Sequence, residues 1–265
     1  MIVVRLLVRL GGLGACALGL VWPHPGWCQS APPVSFGGTL AVTSDYIYRG
    51  VSQSDGQGAV QADLHAGTPG GTFLGVWAST RDQDLEPGTP GEVQLYVGQR
   101  FTLGGAWSAM LAGRADYYVG GSPYHSADYQ EISGAVIWAD RCTFSVGVIP
   151  SAVRYTAYEA PGDAGQYYYH VSRSAAFFGD ASGQWLLSER LLGGPLYATA
   201  AAGYYYSSSV YAAPGVGYVY GNAGLALQWQ RWRLDVGYFA SQSRAAELFP
   251  YPVANRLAGT VSWQF

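Results

Sequence analysis

Polar and apolar residues alternate along most of this chain with a period of two, which is typical of β-strands. Residues 233–241 show the pattern clearly, since Leu234 and Tyr238 are interleaved with Arg233 and Asp235. A strand places these two sets of side chains on opposite faces of its sheet. Charges on one face and apolar groups on the other are expected where one face meets water and the other meets lipid.

Twelve strands of this kind are predicted, and the connections between them form two alternating sets. The strands are residues 36–51, 58–67, 72–81, 92–101, 106–118, 129–139, 142–155, 184–192, 196–206, 218–228, 233–241 and 253–265. The short connections are residues 68–71, 103–105, 140–141, 193–195 and 230–231. The mostly longer ones are residues 52–57, 82–91, 119–128, 156–183, 207–217 and 242–252. Short periplasmic turns alternating with longer outer loops predict an all-β fold, a transmembrane antiparallel up-and-down β-barrel of about 12 strands.

The eighth predicted strand, residues 184–192, is the least well defined of the twelve. Glu189 and Arg190 are adjacent, so either choice of face turns one charge toward lipid unless this part lies at an interface. Residues 167–178 also contain strand-like sequence. The limits of this strand and of the long connection before it therefore stay open.

The composition narrows the class of protein further. The chain is 49% hydrophobic and 12% charged, whereas soluble domains carry roughly 25% charged residues. No stretch beyond the N-terminus offers the roughly 18 consecutive apolar residues of a spanning helix. These values leave a soluble all-β fold or a membrane barrel. The net charge of −3 argues against a nucleic-acid partner.

The N-terminal residues 1–31 are predicted to be a secretory signal peptide that is cleaved. Arg5 and Arg9 form its positive region, and an apolar run follows them. An alternative takes residues 13–16 as a lipoprotein processing box that ends at Cys16. The signal-peptide interpretation leaves residues 32–265 as an outer-membrane β-barrel domain.

Eleven charged residues fall on the predicted inner faces and are candidate lumen residues. They are Asp45, Arg49, Asp63, Glu92, Arg100, Arg114, Asp116, Glu131, Arg233, Asp235 and Arg256. Opposed charges of this kind can screen small solutes in a narrow pore. The alternative is an occluded barrel in which the charges pair with one another. Asp45 and Arg49 share one face, and they either form a structural salt bridge or line the pore.

Aromatic residues are predicted on the opposite, lipid-facing side near the membrane interfaces. They are Tyr46, Tyr48, Trp107, Tyr238, Trp263 and Phe265. Such aromatic girdles border the apolar band of outer-membrane barrels.

The sequence contains few of the residue patterns that catalysis or metal binding requires. Nucleophilic hydrolysis needs a Ser beside a His that an acid or amide orients, and His65 is predicted to face inward with Asp63. The chain has no G-x-S-x-G elbow. No two His or Cys residues have the spacing of metal ligands. We therefore predict no enzymatic activity, no cofactor and no metal.

Residues 44–54, with the sequence SDYIYRGVSQS, and Ala59-Val60-Gln61 resemble the opening strands of the TorF family of proteobacterial outer-membrane porins. Residues 75–79 resemble that family's next segment, whereas the long 156–183 connection departs from it. The resemblance implies location in the bacterial outer membrane and a porin-like activity inferred from fold. It carries no catalytic residues. The C-terminal Phe265 resembles the signal that barrel assembly machinery recognises in its substrates.

Together these features predict an outer-membrane porin-like channel for passive diffusion of small polar solutes or ions through a mixed-charge lumen. The expected partners are outer-membrane lipid, lipopolysaccharide, the barrel assembly machinery and the solute, and the number of copies per assembly is left open. The alternative is a non-conducting barrel with a structural or surface-adhesion role. A barrel hydrolase is the third and weakest hypothesis.

Overall fold

The computed structural model describes residues 34–82, 90–120, 128–159, 167–210, 214–249 and 252–265. The predicted signal peptide, residues 1–31, lies outside these ranges, as do parts of several outer loops. Cleavage of the signal therefore stays a prediction.

The chain forms a closed antiparallel barrel of twelve strands, which confirms the predicted fold class. Strand β1 (Ser35–Thr43) closes the barrel by pairing with β4 (Ala59–Gly67) on one side and β14 (Arg256–Gln264) on the other. The short strands β2 (Ile47–Tyr48) and β3 (Val51–Ser52) form a separate hairpin. The strands are β1 (Ser35–Thr43), β2 (Ile47–Tyr48), β3 (Val51–Ser52), β4 (Ala59–Gly67), β5 (Thr72–Thr80), β6 (Gly91–Gly104), β7 (Trp107–Val119), β8 (Tyr129–Trp138), β9 (Cys142–Glu159), β10 (Tyr167–Leu191), β11 (Gly194–Ser207), β12 (Val216–Trp229), β13 (Trp232–Ser241) and β14 (Arg256–Gln264).

Tight turns join the strands at one end of the barrel. Leu192 and Gly193 connect β10 to β11 with φ angles of 52° and 90°. Two successive positive φ angles match the twist of the flanking strands, so a two-residue hairpin is favoured there. The connections at the other end are longer, and one of them contains a short 3₁₀ helix, Ser243–Glu247. We call the tight-turn end periplasmic and the other end outer, following the predicted orientation.

The first predicted strand, residues 36–51, is wrong in its second half. Strand β1 ends at Thr43, and residues 44–58 fold into the barrel before β4 begins. The tip of this segment is the β2–β3 hairpin, in which Arg49 and Gly50 have φ angles of 47° and 78°. These left-handed conformations reverse the chain inside the lumen instead of continuing the wall.

The predicted long loop at residues 156–183 is also wrong, because most of it is strand. Strand β9 continues to Glu159, and β10 begins at Tyr167. The register of β10 against β11 shifts twice between Leu186 and Leu191. These irregularities leave both Glu189 and Arg190 exposed near the periplasmic turn. Because adjacent residues on a regular strand face opposite sides, a strict alternation of polar and apolar residues does not predict this part of β10.

The outer surface of the wall is apolar, and the interior is filled to a large extent by side chains. Leu257 is 69% exposed and Val146 is 67% exposed on the outer surface. Inside, apolar clusters form around Tyr218 toward the outer end and around Tyr96 and Trp77 on the opposite wall. Charged groups lie between and beside these clusters, so the interior combines apolar packing with ion pairs.

None of the helices in the described ranges is long and apolar enough to cross a membrane.

Candidate functional site in the barrel interior

Residues 44–58, which we call the plug segment, occupy the outer half of the lumen. Its base is organised by Asp45, whose Oδ1 accepts hydrogen bonds from Ser52 Oγ at 2.5 Å and Ser54 Oγ at 3.0 Å. Ser54 Oγ also accepts a hydrogen bond from the backbone N–H of Tyr46 at 2.8 Å. Short polar side chains that bond to nearby backbone favour turns over continued strand. The S-D-Y and S-Q-S ends of the motif therefore hold each other together.

Arg49 fastens the tip of the plug segment to the barrel wall. Its Nη2 donates to Glu131 Oε2 on β8 at 2.9 Å, and its guanidinium carbon lies 3.6 Å from the ring centroid of Phe178 on β10. The Arg49 side chain is only 7% exposed. A desolvated guanidinium that stacks on an aromatic face is held more strongly than an exposed one.

Glu131 joins Arg49 to a second arginine of the wall, Arg114 on β7. Arg114 Nη2 lies 3.0 Å from Glu131 Oε2, and Arg114 Nε lies 2.8 Å from Asp116 Oδ2. Two arginines and two acidic side chains therefore contact one another in this layer. We call Tyr48, Arg49, Arg114, Asp116 and Glu131 the plug layer.

Tyr48 completes the plug layer as a neutral donor. Its hydroxyl accepts a hydrogen bond from Arg114 Nη2 at 2.6 Å and donates toward Glu131 Oε2 at 3.4 Å. Burial raises the pKa of the Tyr48 hydroxyl well above its usual range. The phenol therefore keeps its proton and adds no charge to the layer.

The other predicted lumen residues also point inward, but they form separate local groups. Asp63 lies 2.6 Å from His65 Nδ1 and accepts a hydrogen bond from Tyr96 at 2.7 Å. Arg100 pairs with Asp140 beside a periplasmic turn. Arg233 and Asp235 pair at 2.8 Å, and the Asp235 side chain is 24% exposed. The remaining two are Glu92, which accepts from Tyr46, and Arg256, which lies 3.6 Å from Asp45.

Two of the predicted interface aromatics face the lumen, so their assignment to lipid is wrong. Tyr46 is 4% exposed, and Tyr48 belongs to the plug layer, because the chain leaves the wall at Ser44. Because residues 44–58 fold into the lumen, Asp45 and Arg49 do not share one face of a strand. Asp45 binds Ser52 and Arg49 binds Glu131, so the two form no salt bridge with each other. The remaining four, Trp107, Tyr238, Trp263 and Phe265, lie on the outer surface, where the last two rings are 5.0 Å apart.

Sequence reasoning missed several interior residues, and two structural features explain most of them. The segment with the 3₁₀ helix turns inward, burying Leu248, and Val253 pairs with Val51 of the plug segment. The wall strand β9 contains a bulge near Pro150, after which the inward-facing positions change parity. Arg154 faces inward for this reason. A proline in mid-strand is the signal that could have indicated the bulge.

A cavity of about 60 Å³ remains between the plug segment and the wall. Aromatic rings form most of its lining, and Arg49 and Gln53 supply polar edges. The rings belong to Tyr48, Tyr118, Tyr129, Tyr205, Tyr218 and Phe249. The lumen is therefore narrow at this level, with little free space beside the plug segment.

A family of bacterial proteins of unknown function, Gcw_chp, has a model that matches residues 28–177, just over half of the 265 residues. The chain belongs to the Gcw_chp family. The matched part of this Gcw_chp chain contains the plug segment and the wall strands β7 and β8 that hold it. No curated protein sequence matches the chain.

Solved structures resemble this Gcw_chp barrel in fold. A structure from a study of in-meso crystallization of membrane proteins has a TM-score of 0.50 at 14% identity, with 86% of this chain and 83% of that chain covered. The NanC porin has a TM-score of 0.48 at 9% identity, with coverages of 87% and 99%. The KdgM porin in complex with disordered oligogalacturonate has a TM-score of 0.44 at 8% identity, with coverages of 87% and 97%.

Proposed function

We propose that this chain is an outer-membrane porin-like channel that passes small polar solutes or ions through a lumen narrowed by the plug segment. The observation that carries the proposal is the presence of inward-facing charges at several depths of the barrel. Arg154 lies near the outer end, the plug layer lies below it, and Arg100 and Arg233 lie near the periplasmic turns. Charged side chains that line a lumen can screen small solutes in a narrow pore, and here such side chains recur along the barrel axis.

The size of the barrel supports the same proposal. Eight strands enclose a space that their own side chains can fill, whereas sixteen or more leave a wide channel. Twelve strands lie between these limits, and here the plug segment and the 3₁₀ helix occupy part of the additional space. We therefore expect a low conductance and a small size limit for solutes.

A second candidate is a non-conducting barrel whose outer loops carry a structural or adhesive role. It is favoured by one specific observation, the near-complete burial of the plug layer and of the apolar clusters around it. In that case the ion pairs hold the lumen closed and no solute passes.

Planar-bilayer recording of the purified, refolded protein separates the two candidates. The channel proposal predicts discrete conductance steps, and liposome swelling should fall sharply as the solute becomes larger. Bilayers that stay silent at high protein concentration would contradict the channel and support the closed barrel. Heat-modifiable migration on gels provides the control that the tested protein is a folded barrel.

The motif at residues 44–54 supports membership of the TorF family of porins, with lipopolysaccharide as a neighbour in the bacterial outer membrane. Phe265, exposed at the end of β14, would be recognised by the barrel assembly machinery. We propose no enzymatic activity, since His65 is held by Asp63 inside the lumen. Fractionation of cells and deletion of Phe265 would test location and assembly.

A further inference from the structure

Arg154 differs from the other arginines that face the interior. Six of these have a carboxylate within 4.0 Å, and they are Arg49, Arg81, Arg100, Arg114, Arg233 and Arg256. Arg154 has none among the residues that the structure describes. It is nevertheless 3% exposed. An isolated buried charge costs several kcal/mol unless something compensates for it.

The hydrogen bonds of Arg154 leave part of its guanidinium without an acceptor. Nη1 donates to the carbonyl of Ser208 at 3.3 Å. Nε is buried and has no acceptor within the described ranges. Ser172 stands directly opposite Arg154 in the register of β9 and β10, and its buried Oγ also has no partner there. Two unpaired polar groups therefore meet on one face of adjacent strands.

Further hydroxyl groups lie beside this pair. Ser174 Oγ on β10 and Ser207 Oγ on β11 are 2.8 Å apart, and both side chains are buried. Together with Arg154 and Ser172 they form a group that we call the mouth layer. The mouth layer contains one positive charge, three hydroxyls and no carboxylate among the described side chains.

The mouth layer lies between the outer solution and the plug layer. A strand needs only about 9–11 residues to cross the membrane, whereas β9 has 18 residues and β10 has 25. Arg154 and Ser174 are the inward-facing positions that follow Ala152 and Ala176 toward the outer end. Those two alanines pack in the apolar cluster that contains Val51 of the plug segment. A solute that enters from outside would meet the mouth layer first.

We propose that the mouth layer is an anion-recognition site, with Arg154 as the residue that binds the carboxylate or phosphate group of a small solute. A guanidinium edge matches the oxygens of both groups, and hydroxyls can donate to the remaining oxygens. Because Arg154 faces the lumen, the anion comes from solution and not from a lipid head group. The inference rests on the proposed channel for its role in permeation, while binding itself needs no conduction.

The test measures inorganic phosphate and acetate binding to the refolded protein by calorimetry, and ion selectivity from reversal potentials in a salt gradient. Loss of one charge-assisted hydrogen bond predicts that Arg154→Gln binds phosphate roughly tenfold more weakly or worse. We expect the phosphate affinity of Arg154→Lys to lie between those of the wild type and Arg154→Gln, because lysine keeps the charge but lacks the planar guanidinium. Selectivity should shift from anions toward cations in Arg154→Gln and further in Arg154→Glu.

Arg173→Gln is the matched control, because it removes the same charge from the residue next to Ser172. Arg173 is exposed and outward-facing, so binding and selectivity should stay at the wild-type value. The outcomes separate the two proposals. If the protein conducts and Arg154→Gln changes neither phosphate binding nor ion selectivity, the anion site is overturned and the channel stands. If bilayers stay silent but phosphate binding depends on Arg154, the channel is overturned and the anion site stands. Absence of phosphate and acetate binding in the wild type overturns the site.

Discussion

The plug layer and the mouth layer both place arginines inside the barrel with little exposure, but the two layers differ in the groups that surround the charge. In the plug layer, Arg49 and Arg114 share Glu131, and Asp116 supplies a second carboxylate. In the mouth layer, Arg154 has only a carbonyl and hydroxyls around it within the described ranges. In the first arrangement each arginine already has a carboxylate partner. The second has capacity left for an anion.

This difference separates an arginine that holds structure from one that is suited to binding. A buried ion pair is damaged severely when one partner is removed, whereas an unpaired buried charge is itself a cost to stability. The two layers therefore make opposite predictions for substitutions of similar size. Stability and binding should respond at different arginines.

The largest effect is expected for Glu131→Gln, which leaves Arg49 without its counter-ion inside the barrel. Removing one partner of a buried pair costs about 3–5 kcal/mol. The measurement is the free energy of unfolding from urea titrations in lipid vesicles. Glu189→Gln, an exposed carboxylate near the periplasmic turn, should change it by less than about 0.5 kcal/mol. Equal stability of Glu131→Gln and wild type would show that the plug layer is not held by this pair.

The next effect is expected for Gly50→Ala at the tip of the plug segment. Gly50 has a φ of 78°, and an added Cβ would lie 2.6 Å from Tyr220 Cβ and from Ser241 Oγ. Left-handed strain and overpacking each cost roughly 1–3 kcal/mol. We expect a displaced plug segment, seen as lower stability and a higher single-channel conductance.

Gly56→Ala is the control for Gly50→Ala, since Gly56 has a similar φ of 72°. The group nearest to its added Cβ is the flexible end of Arg256, which can move aside. This variant should show the backbone strain of about 1–3 kcal/mol without the clash. If the two variants behaved alike, contact of the hairpin tip with Tyr220 would not be what positions the plug segment.

The smallest change in the free energy of unfolding is expected for Arg154→Met, and it should be an increase where the other variants show a decrease. Replacing a buried charge by an apolar side chain of similar length is often neutral or stabilising. The unfolding free energy in vesicles should therefore stay constant or rise. Arg49→Met should instead lower it by about 2 kcal/mol or more, because it removes both the ion pair with Glu131 and the desolvated cation–π contact. A marked loss of stability in Arg154→Met would assign Arg154 a structural role and remove the contrast between the layers.

The alternation of polar and apolar residues mispredicts the end of the first wall strand and the inner face of β9, and each error has a physical reason. The alternation in residues 39–49 continues past Thr43, yet the wall strand stops there, because Asp45, Ser52 and Ser54 bind one another and turn the chain inward. Arg154 was missed because a bulge near Pro150 exchanges the inner and outer faces of β9. In the first case the alternation continues into a segment that has left the wall, and in the second an extra residue exchanges the two faces of the strand.

The sequence by itself determined the class of fold, the number of strands and the outward-facing apolar surface. These properties depend on local alternation and on turn composition, which neighbouring residues specify directly. Only the tertiary structure decided what fills the barrel, namely that residues 44–58 leave the wall, that Arg49 meets Glu131, and that Arg154 meets no carboxylate among the described residues. These contacts join residues far apart in the chain, and their partners are chosen by closure of the barrel and by the need to pair buried charge. No local pattern encodes that choice.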